Sequence, residues 1–197
     1  MTKTIAFFDF DGTITNVDSF LKFINFAAGD LKFLWGFFVL APVLVLYKFG
    51  FISNYTAKQK VFSWFFKGYS EDKFLASANE FSLNNIDKFV RPKALEKLKW
   101  HKKNGHKIVI VSASVDCWLL PWCKKNGYEI ISTQIEFKKG FVTGKFLTKN
   151  CYGQEKVNRI KKKYNLKDFG VIYAYGDSRG DKEMLSLGHE SFYKPFC

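Results

Sequence analysis

The sequence predicts an α/β protein, a three-layer α/β/α core built on a parallel sheet with a helical cap inserted into it. Three observations carry this reading. Short apolar runs at 5–8, 107–111 and 171–175 have the pattern of buried strands. Segments of helical period alternate with the later runs, as in parallel sheets. Everything from about 14 to 90, between the first run and the second, reads as helix.

Taken in order, Asp11-Gly12-Thr13 breaks the first run as a loop. Asp18 and Ser19 can cap a helix in which Phe20, Phe23, Ile24 and Ala27 share one face. Residues 33–47 follow without charge or strong polarity, with Pro42 inside. Helices are expected at about 54–67 and 70–90. The second is opened by Ser70, Glu71 and Asp72 and striped by Phe74, Ala78 and Phe81. A lysine-rich helix at 93–103 stops at Asn104-Gly105, and the second strand ends at Ser112. A helix at 118–125 stops at Asn126-Gly127. Residues 129–137 and 141–146, joined by Lys138-Lys139-Gly140, predict a hairpin. A helix near 154–164 precedes the third strand, which ends at Gly176-Asp177. The core is assigned to 1–13 and 91–197, and the cap to 14–90 with an apolar segment at about 33–51.

Composition narrows the class. With 47% hydrophobic and 25% charged residues, the chain is folded rather than disordered. A net charge of +13 favours anionic partners, namely nucleic acid, acidic headgroups or phosphorylated substrates, unless it is only a solvated lysine surface. Cys117, Cys123, Cys151 and Cys197 show no CxxC pair and no zinc-ligand spacing. Free thiols, and an N-terminus running straight into a strand without a signal peptide, predict the cytoplasmic side. His101, His106 and His189 are read as structural or solvated.

Position is more informative than composition. The three apolar runs end at Asp9/Asp11, at Ser112 and at Asp177/Asp181. Strand C-termini of an open parallel sheet share one edge, where ligands bind. Four aspartates brought together need a cation, and their hard oxygens suit Mg²⁺. A carboxylate there can attack phosphorus, and a protonated one two residues on can serve as general acid. A hydroxyl and a lysine can neutralise and position the phosphoryl group. Ser112 and Lys156, just after Cys151-Tyr152-Gly153, are the candidates. Ser112 or Ser114 is also expected to cap the following helix.

These residues resemble the motifs of the haloacid dehalogenase (HAD) superfamily of phosphohydrolases, in that family's order. The resemblance implies a Rossmann-like core, Asp9 as nucleophile in Asp9-Phe10-Asp11-Gly12-Thr13, and Asp11 as acid/base. It implies phosphoryl binding by Ser112 with Ala113, Gly12 and Thr13, and charge balance by Lys156. Metal ligands would come from Asp9, Asp11, Asp177 and Asp181, with Mg²⁺ as cofactor. Asp11 sets the chain apart from the dehalogenases, which lack a second aspartate. The helical insertion is similar to the cap of the phosphoserine-phosphatase-like branch, subfamily IB. Ser132-Thr-Gln-Ile135 and Cys151-Tyr-Gly-Gln-Glu-Lys156 resemble most closely a group that includes phosphatidylglycerophosphatase C. Asp18 stands where phosphoserine phosphatases carry an acidic cap residue. Their cap arginine has no match here, since Lys58 and Lys60 lie in a different local context.

The leading expectation is a phosphomonoesterase acting on a membrane lipid phosphate, with soluble small phosphomonoesters such as phosphoserine as the alternative. A basic nucleic-acid-binding module and a membrane-docked scaffold are the rivals outside enzymology. Scattered lysines and the intact aspartate set argue against nucleic acid. Residues 33–51 cannot cross a membrane once, because Asp9 precedes them while Ser112, Lys156 and Asp177 follow. They form a cap core helix, a hairpin bent near Pro42 that dips into the inner face of an acidic membrane, or an apolar lid for a lipid substrate.

Overall fold

The computed structural model describes residues 3–197. Strand β1 (Lys3–Phe8) lies at the centre of a five-stranded parallel sheet, between β2 (Lys107–Val115) and β6 (Phe169–Gly176). The edges are β3 (Glu129–Thr133), beside β2, and β7 (Glu190–Tyr193), beside β6. Phe8 pairs with Ile110 on one side and Tyr175 on the other, so the residues after β1, β2 and β6 emerge on one edge.

The period of two along each strand sorts the layers. Ile5, Phe7, Val109, Val111 and Ile172 pack with Ile160 and Met184, which lie on α8 (Gln154–Lys163) and α9 (Lys182–Leu185). Ala6, Phe8, Ile108 and Ile110 face the opposite layer, formed by α6 (Pro92–Lys103) and α7 (Asp116–Asn126). His101 is buried in that layer between His106 and the Tyr175 hydroxyl. His189 accepts from the Ile172 backbone N–H at 3.0 Å, so all three histidines have partners.

Five helices separate β1 from α6: α1 (Ser19–Ala28), α2 (Asp30–Val39), α3 (Ala41–Lys48), α4 (Asn54–Phe66) and α5 (Glu71–Asn84). The chain enters and leaves this cap side by side. Arg91 N–H donates to the Ile14 carbonyl at 2.8 Å, and Asn16 N–H to the Phe89 carbonyl at 3.0 Å. The aromatic excess of this region is packing material. Phe23 lies 4.5–5.6 Å from the rings of Phe66, Phe74, Phe81 and Trp118, the last of which belongs to the core.

Two expectations are corrected. Residues 129–137 are not one strand of a hairpin. Thr133 ends β3 in the main sheet, Gln134 makes the break, and β4 (Ile135–Lys138) then pairs antiparallel with β5 (Phe141–Phe146). Val142 and Gly140 carbonyls accept from Gly68 N–H and Glu71 N–H, so this small hairpin holds the cap from below. The 70–90 helix ends at Asn84, followed by a 3₁₀ turn at Ile86–Phe89.

The apolar segment is two helices bent by 58° at Leu40. Pro42 sits in the first turn of α3, where its missing N–H costs nothing. Gly36 allows α2 to approach α4 closely, because a Cβ there would strike the Trp64 and Phe65 rings. Among the described residues, no single helix is long and apolar enough to cross a membrane.

Candidate active site

Asp9 follows β1 directly, and its N–H donates to the Tyr175 carbonyl at 2.9 Å, fixing it at the sheet edge. The chain then turns tightly through Phe10–Ile14, with Gly12 at φ +82°. That turn brings Thr13 back beneath Asp9. Its Oγ1 lies 3.2 Å from Asp9 Oδ2 and 3.0 Å from Asp177 Oδ1, and its single proton serves one carboxylate at a time.

Lys156 rises from the first turn of α8 into this edge and is buried. All three of its ammonium protons are used. They go to Asp9 Oδ1 at 2.5 Å, Asp181 Oδ1 at 2.6 Å and the Val111 carbonyl at 2.7 Å. Burial works against the charge, but Asp9 and Asp181 outweigh it and hold the lysine protonated well above its ordinary range. Burial pushes Asp9 up to about 7, against the pull of Lys156 and with added repulsion from Asp181. Asp181 goes the other way. Despite burial, the Lys156 charge keeps its carboxyl below the ordinary value, and its Oδ2 accepts from Asp177 N–H, Ser178 N–H and Ser178 Oγ.

Asp11 points elsewhere. Its Oδ1 accepts from Ser19 N–H at 2.7 Å and its Oδ2 from Ser114 Oγ at 2.5 Å. Ser114 Oγ in turn lies 3.1 Å from Ser19 Oγ, to which Trp118 Nε1 donates at 3.3 Å. Burial, and then the nearby Asp18 charge, raise the Asp11 carboxyl above its ordinary value.

Carboxylate oxygens of Asp9, Asp177 and Asp181 lie within 4.8 Å of one another, close enough to share a cation. The donor set is all hard oxygen and carries more negative charge than Lys156 balances, which fits Mg²⁺. Asp181 gives both oxygens to Lys156 and the 177–178 turn. Asp9 Oδ2 and Asp177 Oδ1 share only the Thr13 hydroxyl, so Asp9 and Asp177 are the residues placed to hold an ion. Asp11, expected among the ligands, is not part of this cluster, because Ser19 and Ser114 turn its carboxylate away.

The expectation that Ser112 or Ser114 caps a helix is also corrected. Strand β2 runs on to Val115, which occupies the N-cap of α7 without a side-chain bond. Ser112 is fully buried and its Oγ accepts from Ser114 N–H at 3.0 Å, while Ala113 lines the cavity. Asp18 caps α1 through Phe20 N–H and Leu21 N–H and lines the cavity as well.

That cavity, of about 310 Å³, opens over Asp9, Asp11, Lys156 and Asp181. Its opposite wall is apolar and comes from the cap: Phe20, Phe37, Leu44, Tyr47 and Val61. One of the two cap lysines whose local context differs from that of the cap arginine also reaches this wall. Lys58, on α4, reaches down to donate to the Ala113 carbonyl at 2.9 Å, with its ammonium 4.8 Å from the Phe20 ring centre. Burial lowers its pKa, opposed by Asp18, Asp11 and Asp9. The available signal was its place beside Ala57 and Val61 on the buried side of α4.

Gly12 has no room for a side chain, since a Cβ there would overlap the Asp177 carboxylate. Gly12→Ala should therefore displace Asp177 and add about 1–2 kcal/mol of left-handed backbone strain. Mg²⁺ binding should weaken at least about tenfold, measured by titrating Mg²⁺ against thermal unfolding.

The sequence pattern of the haloacid dehalogenase-like hydrolases matches residues 6–186. The chain belongs to that family. Among its relatives is protein CicA of Caulobacter vibrioides, 32% identical over 191 residues that span 96% of this chain and 85% of CicA. The hydrolase fold is shared with a protein of unknown function from Bordetella pertussis Tohama I. That match has TM-score 0.82 and 22% identity, over 95% of this chain and 88% of the other. A substrate-bound phosphoserine phosphatase is also similar, at TM-score 0.62 and 22% identity, over 95% and 84% of the two chains. At these identities the structural likeness speaks for the fold.

Proposed function

We propose that this hydrolase cleaves phosphomonoesters with Mg²⁺ through an aspartyl-phosphate on Asp9. The observation that carries this is the division of labour between two carboxylates two residues apart. Asp9 is paired with Lys156 in the acidic cluster. Asp11 is held apart from it by Ser19 and Ser114, and there burial and the Asp18 charge outweigh those two hydrogen bonds and favour its protonated form. A Mg²⁺ held by Asp9 and Asp177 would neutralise charge on the phosphoryl oxygens.

The residues then act in turn. An Asp9 oxygen attacks phosphorus as the ester oxygen leaves, taking its proton from Asp11. Water then attacks the acyl phosphate, losing its proton to the Asp11 carboxylate and freeing phosphate and Asp9. Lys156 favours the ionised form of Asp9 that attack requires, and Asp181 and Val111 keep the ammonium in place. The cap above the cavity excludes water during transfer.

The apolar cap wall supports a phosphate joined to an apolar body, with a lipid phosphate such as phosphatidylglycerophosphate as the leading case. A volume of about 310 Å³ admits the head group and leaves longer chains outside. A soluble ester such as phosphoserine is the second reading. Asp18 and Lys58, of opposite charge on the cavity wall, favour it, as does the fold likeness to phosphoserine phosphatase.

Phosphate release from a panel of lipid and soluble phosphomonoesters, with Mg²⁺ and with chelator, tests both. Metal-dependent release is expected, faster on the lipid. Release from no ester would overturn the proposed reaction, and release from phosphoserine alone would select the second reading. Lys58→Met should raise KM about tenfold, or about 1.4 kcal/mol of binding, with kcat changed less. Steady-state kinetics on the best substrate of the panel checks this.

A further inference from the structure

We propose that the outer face of α2 and α3 docks on an anionic lipid bilayer. Both helices are apolar on two sides. Their inner side carries Phe33, Phe37, Val43 and Leu44 and packs on the cap. The outer side of α2 presents Leu31, Leu34, Trp35 and Phe38, a stripe at i, i+3, i+4 and i+7 that would normally face a core. Phe49 and Phe51 extend it beyond α3. These six residues are between 61 and 86% exposed. A contiguous apolar surface of this kind marks an interaction site.

Charge identifies the occupant. From residue 31 to residue 70 the chain carries Lys32, Lys48, Lys58, Lys60 and Lys67 and no aspartate or glutamate. Lys32 lies in the first turn of α2, which Asp30 opens, and Lys48 closes α3, so a cation stands near each end of the apolar surface and Asp30 is the one carboxylate beside it. A second copy of this face would set lysine against lysine, whereas acidic headgroups would neutralise them. Geometry fixes the depth. Ten and eight residues bent by 58° amount to about 15 and 12 Å of helix, too short to span a hydrocarbon core of about 30 Å. The pair lies in the interface, with its apolar side among the acyl chains. Phe37, Leu44 and Tyr47 of the same helices line the catalytic cavity, so docking places that cavity next to the lipid surface.

The test uses the whole chain and phosphatidylcholine vesicles with or without phosphatidylglycerol, and it needs no enzyme activity. Wild type should float with the anionic vesicles at least about tenfold more than with the neutral ones, and salt should weaken this binding. Leu34→Ser/Phe38→Ser and Lys32→Glu/Lys48→Glu should each lose at least about tenfold in binding. Unchanged thermal unfolding should show that the fold is intact. In wild type, bromine-labelled lipid should quench tryptophan emission, and Trp35→Phe should remove most of that quenching. No flotation, equal flotation with both vesicle types, or double variants that bind as wild type does would overturn the proposal. So would a lipid-free dimer that Leu34→Ser/Phe38→Ser dissociates, which would assign the face to a second copy. Because binding is read without turnover, failure here leaves the proposed reaction standing, and the reverse also holds.

Discussion

Asp9→Asn should give a folded protein whose phosphate release is lower than wild type by at least ~10³-fold, as for removal of a nucleophile. The amide keeps the size of the side chain and can still face Thr13, but it cannot form the acyl phosphate. Substrate binding should survive, since Lys156, Lys58 and the apolar wall remain. A labelled phosphate ester should therefore bind the variant without turnover, while wild type should yield acid-trapped phosphoprotein under the same conditions. Equal rates in the two proteins would remove Asp9 from the reaction.

The same variant has a distinct signature in stability. In metal-free protein burial lifts the Asp9 carboxyl to about 7, above its ordinary value of 3.8. The folded state then holds this proton more tightly than the unfolded state. Its contribution to stability is present at low pH and is lost as pH rises from about 4 to about 7. Asp9→Asn lacks that loss. The Tm of the variant relative to wild type, measured in chelator, should thus climb across this window and level off above it.

The second large effect is at Lys156. Replacing it with Met removes the shared partner of Asp9 and Asp181 and leaves the Val111 carbonyl without its donor. Breaking a buried ion pair from one side costs about 3–5 kcal/mol. Urea unfolding should show a loss of that order, and phosphate release should fall by at least ~10²-fold. Lys156→Met/Asp181→Asn separates the two losses. Removing an unpaired charge together with its partner should recover much of the stability, while activity stays low because nothing then balances Asp9. A double variant no more stable than Lys156→Met would show that the cost is one of packing.

The sheet was legible because buried parallel strands are continuous apolar runs, and the polar residues closing those runs marked the site. Lys156 was found by its place in the motif order, since nothing else separates it from Lys161, Lys162 and Lys163. Other features were not legible, for physical reasons. Glu129 to Phe137 contains no glycine or proline, so the break at Gln134 between β3 and β4 left no trace. Strand β7 is four residues, Glu-Ser-Phe-Tyr, with too little apolar pattern to register at a sheet edge. In α2 and α3 both faces are equally apolar, so hydropathy could not tell the packed side from the exposed one. The turning of Asp11 away from the other aspartates depends on Ser19 and Ser114, which come from segments that meet only in the fold.

That last arrangement gives the cap a hold on the chemistry. The bond from Ser19 N–H to Asp11 runs from the first residue of the cap's first helix to the carboxyl proposed to donate a proton. The Trp118, Ser19 and Ser114 contacts continue this line across into the core. A cap lifted from the sheet must either drag Asp11 along or release it. On the proposed mechanism the proton donor would thus be aligned only while the cap is seated, an interlock that would keep transfer from starting in a chamber open to water.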